Sequence, residues 1–315
     1  MFNHKKVEYI KAISPVHAGT GQDLGIVDMP IQRETHTGFP KIEGSSLKGA
    51  IKFHIYNKIR DYSKEAEEDI KNSRKFNEFY EMLGYEDDDK NSNNNDEKGA
   101  SRLAFTDAKL LFFPVKAVDR LFYYVTCPYI LKRWHEEVGN GGSFNYRGKL
   151  GEGEYIAFNN NKDKIILEEY IFEKHSNSNL NFADVITEEG LKEILNENNT
   201  IIVSDEDFKD LVTMYTEMIT RNKIDPETGV AENTGLFTEE YLPSESIMYY
   251  MVLGSPKFKE DNPEKNIKKN NGEEAIEYYQ SNIANVFQVG GNKTIGKGLV
   301  KRLGVAEQGG GQNGE

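Results

Sequence analysis

The run His17–Lys52, HAGTGQDLGIVDMPIQRETHTGFPKIEGSSLKGAIK, concentrates residue types suited to handling a phosphate. Two glycine-rich stretches surround Asp28, and the second opens into a predicted helix carrying Lys48 and Lys52. Glycine lets a backbone approach a ligand closely because no side chain intervenes. A helix N-terminus, here Gly44, Ser45 and Ser46, offers unpaired N–H groups and a partial positive charge to an anion. The segment reads as a phosphate-contacting surface with a carboxylate beside it. Asp28 lies in an apolar context, Ile26-Val27-Asp28-Met29-Pro30, suited to pointing at a ligand. Its plainer reading is a turn aspartate bonding its own backbone. His17 closes the first predicted strand and can exchange a proton near neutral pH. Its plainer reading is structural.

Basic side chains surround these groups. Arg33 precedes the helix, and Lys48 and Lys52, four apart, share a helix face. A last glycine loop, VGGNKTIGKG, supplies Gly290, Gly291, Asn292, Lys293 and Lys297, followed by Lys301 and Arg302. Glycines with interleaved lysines suit a nucleic-acid backbone better than a single nucleotide. There is no GxxxxGK[ST] phosphate loop, no CxxC or HExxH metal spacing, and no G-x-S-x-G elbow. VGGNKTIGKG lacks the following βαβ unit of a dinucleotide site. The S-x-x-K string at Ser45–Lys48 lacks the S-D-N and K-T-G partners of penicillin-binding enzymes.

The elements that must hold these residues follow from periodicity. Val7–Ser14 alternates and reads as a strand, and Leu47–Arg60 as a helix capped by Ser45 or Ser46. Ser63–Leu83 reads as helical, and Leu103–Val115 and Leu121–Thr126 as central strands. Tyr129–Val138 reads as a helix, Ile165–Glu173 as a strand, and Glu188–Asn196 and Asp205–Thr220 as helices. Arg221–Pro243 contains the turn signal DPETG and reads as a protruding hairpin. Ile247–Leu253 is a strand, Lys257–Glu273 a loop, Glu274–Ala284 a helix, and Val286–Leu303 a loop leading into a strand. Asp87–Gly99 and the tail 306–315 read as mobile. This order fits an α+β, ferredoxin-like or RNA-recognition-type core.

The 315 residues carry 39 basic and 52 acidic side chains, a formal charge of −13, which argues against a globally basic nucleic-acid binder but not against a local basic groove. Much of the acid lies in Glu65–Asp96 and Thr187–Asp210. A single cysteine, Cys127, excludes an internal disulfide framework and suits a reducing compartment. The start lacks a signal-peptide core, and no apolar run approaches the roughly 20 residues of a membrane span. A cytoplasmic protein is expected.

The His17–Lys52 string resembles the N-terminal region of the RAMP proteins of CRISPR systems, in particular the repeated backbone subunit of type III-B Cmr effector complexes. The I-x-G-S-S-L-K-G element marks the superfamily, and V-D-M-P-I-Q-R-E-T-H-T-G-F-P is similar to the Cmr backbone subunit. The likeness continues through Phe105–Pro114, Tyr124–Pro128, Thr234–Pro243 and Gln288–Gly298, most of the chain apart from Asp87–Gly99 and the tail.

The resemblance implies one RAMP domain over 1–305. It would be a modified ferredoxin-like palm, with helical fingers inserted at about 60–102 and a β-hairpin thumb at about 221–243. It implies copies stacked along a guide RNA with other Cmr subunits, and cleavage of complementary target RNA at regular intervals. That cleavage would proceed by 2′-OH attack to a 2′,3′-cyclic phosphate, with a divalent metal, Mg²⁺ or Mn²⁺. The family's catalytic aspartate falls on Asp28, either as a metal ligand or as the group orienting the 2′-OH. His17 matches a position near that site, and Glu239 and Tyr241 match the thumb base. Expected RNA contacts are Arg33, Gly44, Ser45, Ser46, Lys48, Lys52, the 290–298 loop, and Arg221 and Lys223 on the thumb. Two rival readings stay open: a non-catalytic RNA-binding scaffold and a stand-alone nuclease processing CRISPR repeats.

Overall fold

The structure, a computed structural model, describes residues 2–21, 27–62, 73–84, 100–139, 144, 146, 148–159, 162–176, 180–225, 227–257 and 272–305. In chain order the elements are β1 (His4–Ala12), β2 (Lys41–Ile42), α1 (Gly44–Tyr62), α2 (Arg74–Leu83), β3 (Leu103–Phe105), β4 (Ala108–Lys116), β5 (Phe122–Thr126) and α3 (Pro128–Val138). There follow β6 (Glu154–Ala157), β7 (Lys164–Leu167), β8 (Tyr170–Lys174), α4 (Phe182–Val185), α5 (Glu189–Lys192), β9 (Thr200–Val203) and α6 (Asp205–Met214). The chain closes with β10 (Glu217–Ile224), β11 (Ala231–Tyr241), β12 (Ile247–Gly254), α7 (Glu273–Asn282), β13 (Val286–Gln288), a 3-10 turn Lys293–Ile295 and β14 (Leu299–Leu303).

The palm is the strand run β14-β1-β12-β4, every neighbouring pair antiparallel. With α1 between β1 and β4, and α7 between β12 and β14, this is the β-α-β-β-α-β arrangement expected of a ferredoxin-like core. Leu47, Ile51 and Ile55 recur every fourth residue of α1 and are fully buried. Each contributes about 1.5–3 kcal/mol by transfer from water. The α7 helix packs on β1 and β12. Beyond β4 the sheet continues through five further strands, β5-β9-β6-β8-β7, with β5–β9 and β6–β8 parallel. Trp134 of α3 joins this extension to the palm. Its ring meets Tyr9 edge-on, and its Nε1–H donates to the Tyr9 hydroxyl at 3.1 Å. Separate from the sheet, β10 and β11 form a two-stranded hairpin, the thumb. Among the described residues no helix is long and apolar enough to cross a membrane.

Several boundaries differ from the sequence expectation. The helix predicted from Leu47 starts at Gly44, and its cap comes from outside the helix: the Gly44 N–H donates to Asp107 Oδ1 at 2.8 Å. The helix predicted over Asp205–Thr220 stops at Met214, because Glu217–Thr220 pairs with Thr238–Tyr241. Cross-strand pairing thus overrides helical pattern, and the hairpin begins four residues before Arg221. Ile165–Glu173 is a hairpin, with Glu168 at φ 52° in its turn. Leu103–Val115 divides into two strands, and the helix predicted over Glu188–Asn196 is a single turn, Glu189–Lys192. The first strand lies three residues earlier, at His4–Ala12 rather than Val7–Ser14. Strands β6 and β9, both short, were not anticipated. Asp87–Gly99, the tail, all of Ser63–Asn72 and most of Lys257–Glu273 lie outside the described residues.

Candidate functional site

The site grows from the alternation of β11. Glu239 and Tyr241 point to one face, Thr238 and Glu240 to the other. On the first face Glu239 is buried and fully partnered. Its Oε2 accepts from the Tyr241 hydroxyl at 2.5 Å and from Arg221 Nε at 2.8 Å. Its Oε1 accepts from Asn292 Nδ2 at 3.1 Å. The Tyr241 oxygen in turn accepts from Arg221 Nη2 at 2.6 Å and Asn292 Nδ2 at 2.8 Å. Arg221 reaches Glu239 diagonally across the hairpin, a normal cross-strand reach. Burial alone would raise the Glu239 carboxyl. Tyr241, Asn292, Arg221 and the nearby His17 outweigh it and hold the group below its ordinary 4.5. Burial, then the Glu239 carboxylate, pushes Tyr241 up to about 12, so the phenol keeps its proton at neutral pH.

The second face anchors the N-terminal loop. Glu240 is 3% exposed. It accepts from the Ile31 N–H at 3.0 Å, the Thr216 hydroxyl at 2.8 Å, and the Arg33 guanidinium. The backbone of the same residue fixes His17, whose Nδ1 lies 2.7 Å from the Glu240 carbonyl. A carbonyl only accepts, so Nδ1 carries a proton and donates it to that carbonyl. A Cβ at position 19 would sit 2.6 Å from the ring's Nε2, so only glycine fits against this edge of the largely buried ring. The His17 ring tilts against Tyr241 with centroids 5.4 Å apart.

Asp28 runs along the free edge of β11. Met29 pairs in parallel with Glu239: its N–H donates to Thr238 O at 3.1 Å, and its carbonyl accepts from Glu240 N at 3.0 Å. The exposed Asp28 carboxylate accepts from the Thr238 N–H through Oδ2 at 2.7 Å. This is not the self-bonding turn aspartate of the plainer reading; its partner lies 210 residues away.

The 290–298 loop folds onto the same place. Gly290 has φ 82°, and a Cβ there would lie 2.3 Å from the His17 carbonyl. The Gly291 N–H donates to that carbonyl at 2.8 Å. The glycine is thus needed for loop-on-loop packing. Asn292, in left-handed backbone at φ 60°, delivers its amide to Glu239 and Tyr241. Lys297 lies over the Tyr241 ring at 4.9 Å, and Lys293 over the Phe53 ring at 4.7 Å.

Other expected contacts have different surroundings. Arg33 faces inward, donating to Gly38 O, Val212 O and Glu240. Gly44 approaches protein, not ligand: a Cβ there would lie 2.5 Å from Phe105 O. Its N–H serves Asp107, so this part of the presumed anion seat holds the chain's own carboxylate. Ser46 Oγ accepts from Gln32 Nε2 at 3.2 Å, while Ser45 is exposed. Lys48 donates to Ser101 Oγ at 3.1 Å, and burial followed by Lys52 holds its ammonium below the ordinary value. Lys52 lies 6.0 Å from the Phe79 ring, and Lys223 is exposed on the outer part of β10. His17, Glu239, Tyr241, Arg221, Asn292, Lys297 and the Asp28 loop therefore converge, whereas Arg33 and Lys48 serve the scaffold. Sequence reasoning missed Glu240, Gln32, Thr238 and Asp107. Glu240 and Thr238 lie inside TGLFTEEYLP beside residues that were chosen, and strand alternation would have separated their roles.

Among the described residues no group of three or more His, Cys, Asp or Glu side chains could hold a metal ion. Among the described residues only Oδ2 of Asp28 is engaged, which leaves Oδ1 as a candidate donor. That donor set fits an ion carried mainly by phosphate and water, not a cage built by protein alone.

The sequence matches the RAMP superfamily over residues 9–301. It is 34% identical over 301 residues to the CRISPR system Cmr endoribonuclease Cmr4 of Pyrococcus furiosus, covering 92% of each chain. It is 24% identical to the CRISPR system CMR subunit Cmr4 of Saccharolobus solfataricus, covering 93% of this chain and 94% of that one. Among solved structures, oligomeric Cmr4 of Pyrococcus furiosus superposes with a TM-score of 0.62 at 26% identity, over 95% of this chain and 96% of that one. A chain of the type III-B Cmr-beta complex bound to cognate target RNA superposes with a TM-score of 0.67 at 22% identity, over 96% and 97%. The latter likeness is one of fold.

Proposed function

This chain belongs to the RAMP superfamily, and we propose that it is the repeated, guide-RNA-binding backbone subunit of a type III-B CRISPR ribonucleoprotein that cleaves complementary target RNA. The observation that carries this reading is the exposed Asp28 carboxylate, tied by Thr238 to the base of a protruding hairpin beside His17, Glu239, Tyr241 and Arg221. A relative 34% identical over nearly the whole chain is named an endoribonuclease.

The chemistry is in-line attack of a 2′-OH on the adjacent phosphorus. The O2′–P bond forms, the P–O5′ bond breaks, the O2′ proton passes to a base, and O5′ takes up a proton. In this scheme Asp28 Oδ1 orients the 2′-OH, and the His17 Nε2 lone pair accepts its proton. The Glu239–Tyr241–Arg221–Asn292 network, already satisfied internally, is positioning machinery. It fixes the ring of Tyr241 against His17 and the edge of β11 against Asp28. Lys297 places positive charge near the developing phosphorane. In the alternative scheme Asp28 Oδ1 would instead hold a divalent ion such as Mg²⁺ or Mn²⁺, brought with the RNA, which would supply charge neutralisation at the phosphate.

The test is target-RNA cleavage by the reconstituted guide-bound complex, comparing wild type, Asp28→Ala and Asp28→Asn, with RNA binding measured on the same preparations. The Asn variant retains an acceptor for the Thr238 N–H, loses the charge, and puts an NH₂ donor where Oδ1 stood. Binding within about threefold and cleavage reduced at least about 100-fold in both variants supports the reading. Unchanged cutting makes this chain a scaffold and sends the search for the nuclease elsewhere.

A further inference from the structure

Beside the site lies an aromatic surface that the cleavage chemistry does not use. Phe53, on α1, is 59% exposed, the most exposed phenylalanine among the described residues. Its neighbours on the same helix, Ile51 and Ile55, are fully buried, so Phe53 belongs to the solvent face. An exposed phenylalanine loses the favourable transfer its ring would gain by burial. One turn earlier on this face, at Gly49, an added Cβ would meet nothing within 4 Å, which leaves open space toward exposed Ser45. The Lys293 ammonium sits 4.7 Å from the centre of the Phe53 ring. Lys293 directly follows Asn292, which bonds Glu239 and Tyr241. The loop thus carries two lysine–aromatic pairs four residues apart, Lys297 with Tyr241 and Lys293 with Phe53. Tyr241 is fully buried, so Phe53 alone of the two rings is open to a ligand.

We propose that Phe53 is a stacking platform for one nucleobase of a single-stranded guide-RNA segment, with Lys293 holding the adjoining phosphate. This rests on the RNA-binding reading above and deepens it. Three features favour RNA over a protein partner. Every nucleobase has a π-face, so an exposed ring serves any guide sequence. A cation is already positioned at the ring, where a phosphate adjoining a stacked base would meet it. The ring is linked to the Glu239–Tyr241 cluster through Lys293 and its neighbour Asn292. A guide base held here would set the register of the guide and, through pairing, of the target strand.

The experiment uses the full chain with guide RNAs carrying 2-aminopurine at successive positions. Binding is read by titration and stacking by quenching of the fluorescent base. Phe53 is exposed, so Phe53→Ala and Phe53→Leu are expected to melt with wild type. Both should bind guide about tenfold more weakly and lose the quenching at one position per bound copy, while Phe53→Trp retains both. Lys293→Gln should weaken binding and flatten its salt dependence. Wild-type affinity and quenching in Phe53→Ala would overturn the platform while leaving guide binding itself intact. Failure of the wild-type chain to bind guide would instead overturn the RNA-binding reading. If Phe53→Leu behaves as wild type, or if Phe53→Ala keeps its RNA affinity but no longer self-associates by mass photometry without RNA, the face docks protein and the proposal falls.

Discussion

Removing the Glu240 carboxylate separates the scaffold of the site from its chemistry. The side chain is 4% exposed and holds three groups from three segments: the Ile31 N–H, the Thr216 hydroxyl and the Arg33 guanidinium. In Glu240→Ala the buried N–H and hydroxyl lose their acceptor, and Arg33 loses its counter-charge. Breaking a fully buried ion pair on one side costs about 3–5 kcal/mol. Arg33 is 21% exposed and keeps the Gly38 and Val212 carbonyls, so the lower end applies, about 3 kcal/mol. With a urea m-value of about 3 kcal/mol per molar, the unfolding midpoint drops by about 1 M. Glu240→Gln does not rescue it. An amide oxygen aimed at Arg33 and Thr216 turns its NH₂ toward the Ile31 N–H, donor against donor. Because the pair is buried, the loss persists at high salt. Urea unfolding of the three proteins at low and high salt is the assay. An Ala variant within about 0.5 kcal/mol of wild type, or a Gln variant indistinguishable from it, refutes the account of this clamp.

Two further outcomes follow from the start of α1. Gly44→Ala is destabilising although alanine favours helix, because its Cβ would lie 2.5 Å from the backbone oxygen of Phe105. A stabilised Gly44→Ala in thermal melts contradicts that contact. Burial raises the Asp107 carboxyl, but the Gly44 N–H, Lys41 and Lys109 outweigh it and hold the group below its ordinary 3.8. A depressed folded value means stability present above the unfolded pKa and lost as pH falls through the folded one. The stability gap between wild type and Asp107→Asn is therefore steady from pH 7 to about 5 and closes below 3.8. A gap independent of pH assigns the effect to shape rather than charge.

Much of the architecture was readable because its signals are local. The four-residue spacing of Leu47, Ile51, Ile55 and Ile59 specifies a helix face turned to the core; the first three are fully buried and Ile59 is partly buried against the core. The apolar run of β4 and the turn DPETG likewise announce a central strand and a hairpin. The sheet extension was less legible. Its strands β6 and β9 are short, and β9 pairs in parallel with β5 across a long stretch of intervening chain, so nothing near β9 in sequence marks that pairing.

The site divides along the same line. The sequence by itself determined the chemical inventory: Asp28 and His17 in one loop, Glu239 and Tyr241 two apart on a strand, Asn292 and Lys297 among glycines. Residue type and spacing are properties of the chain. Only the tertiary structure decided which of these groups meet. The glycines at 44 and 290, readable as seats for phosphate, are where one backbone presses on another. Arg33, readable as an RNA contact, neutralises Glu240, and Asp107 supplies the cap that the serines of α1 were expected to give. In each case the partner lies tens to hundreds of residues away. A charge or an unpaired N–H in the sequence announces that it needs a partner, and only folding brings the partner to it.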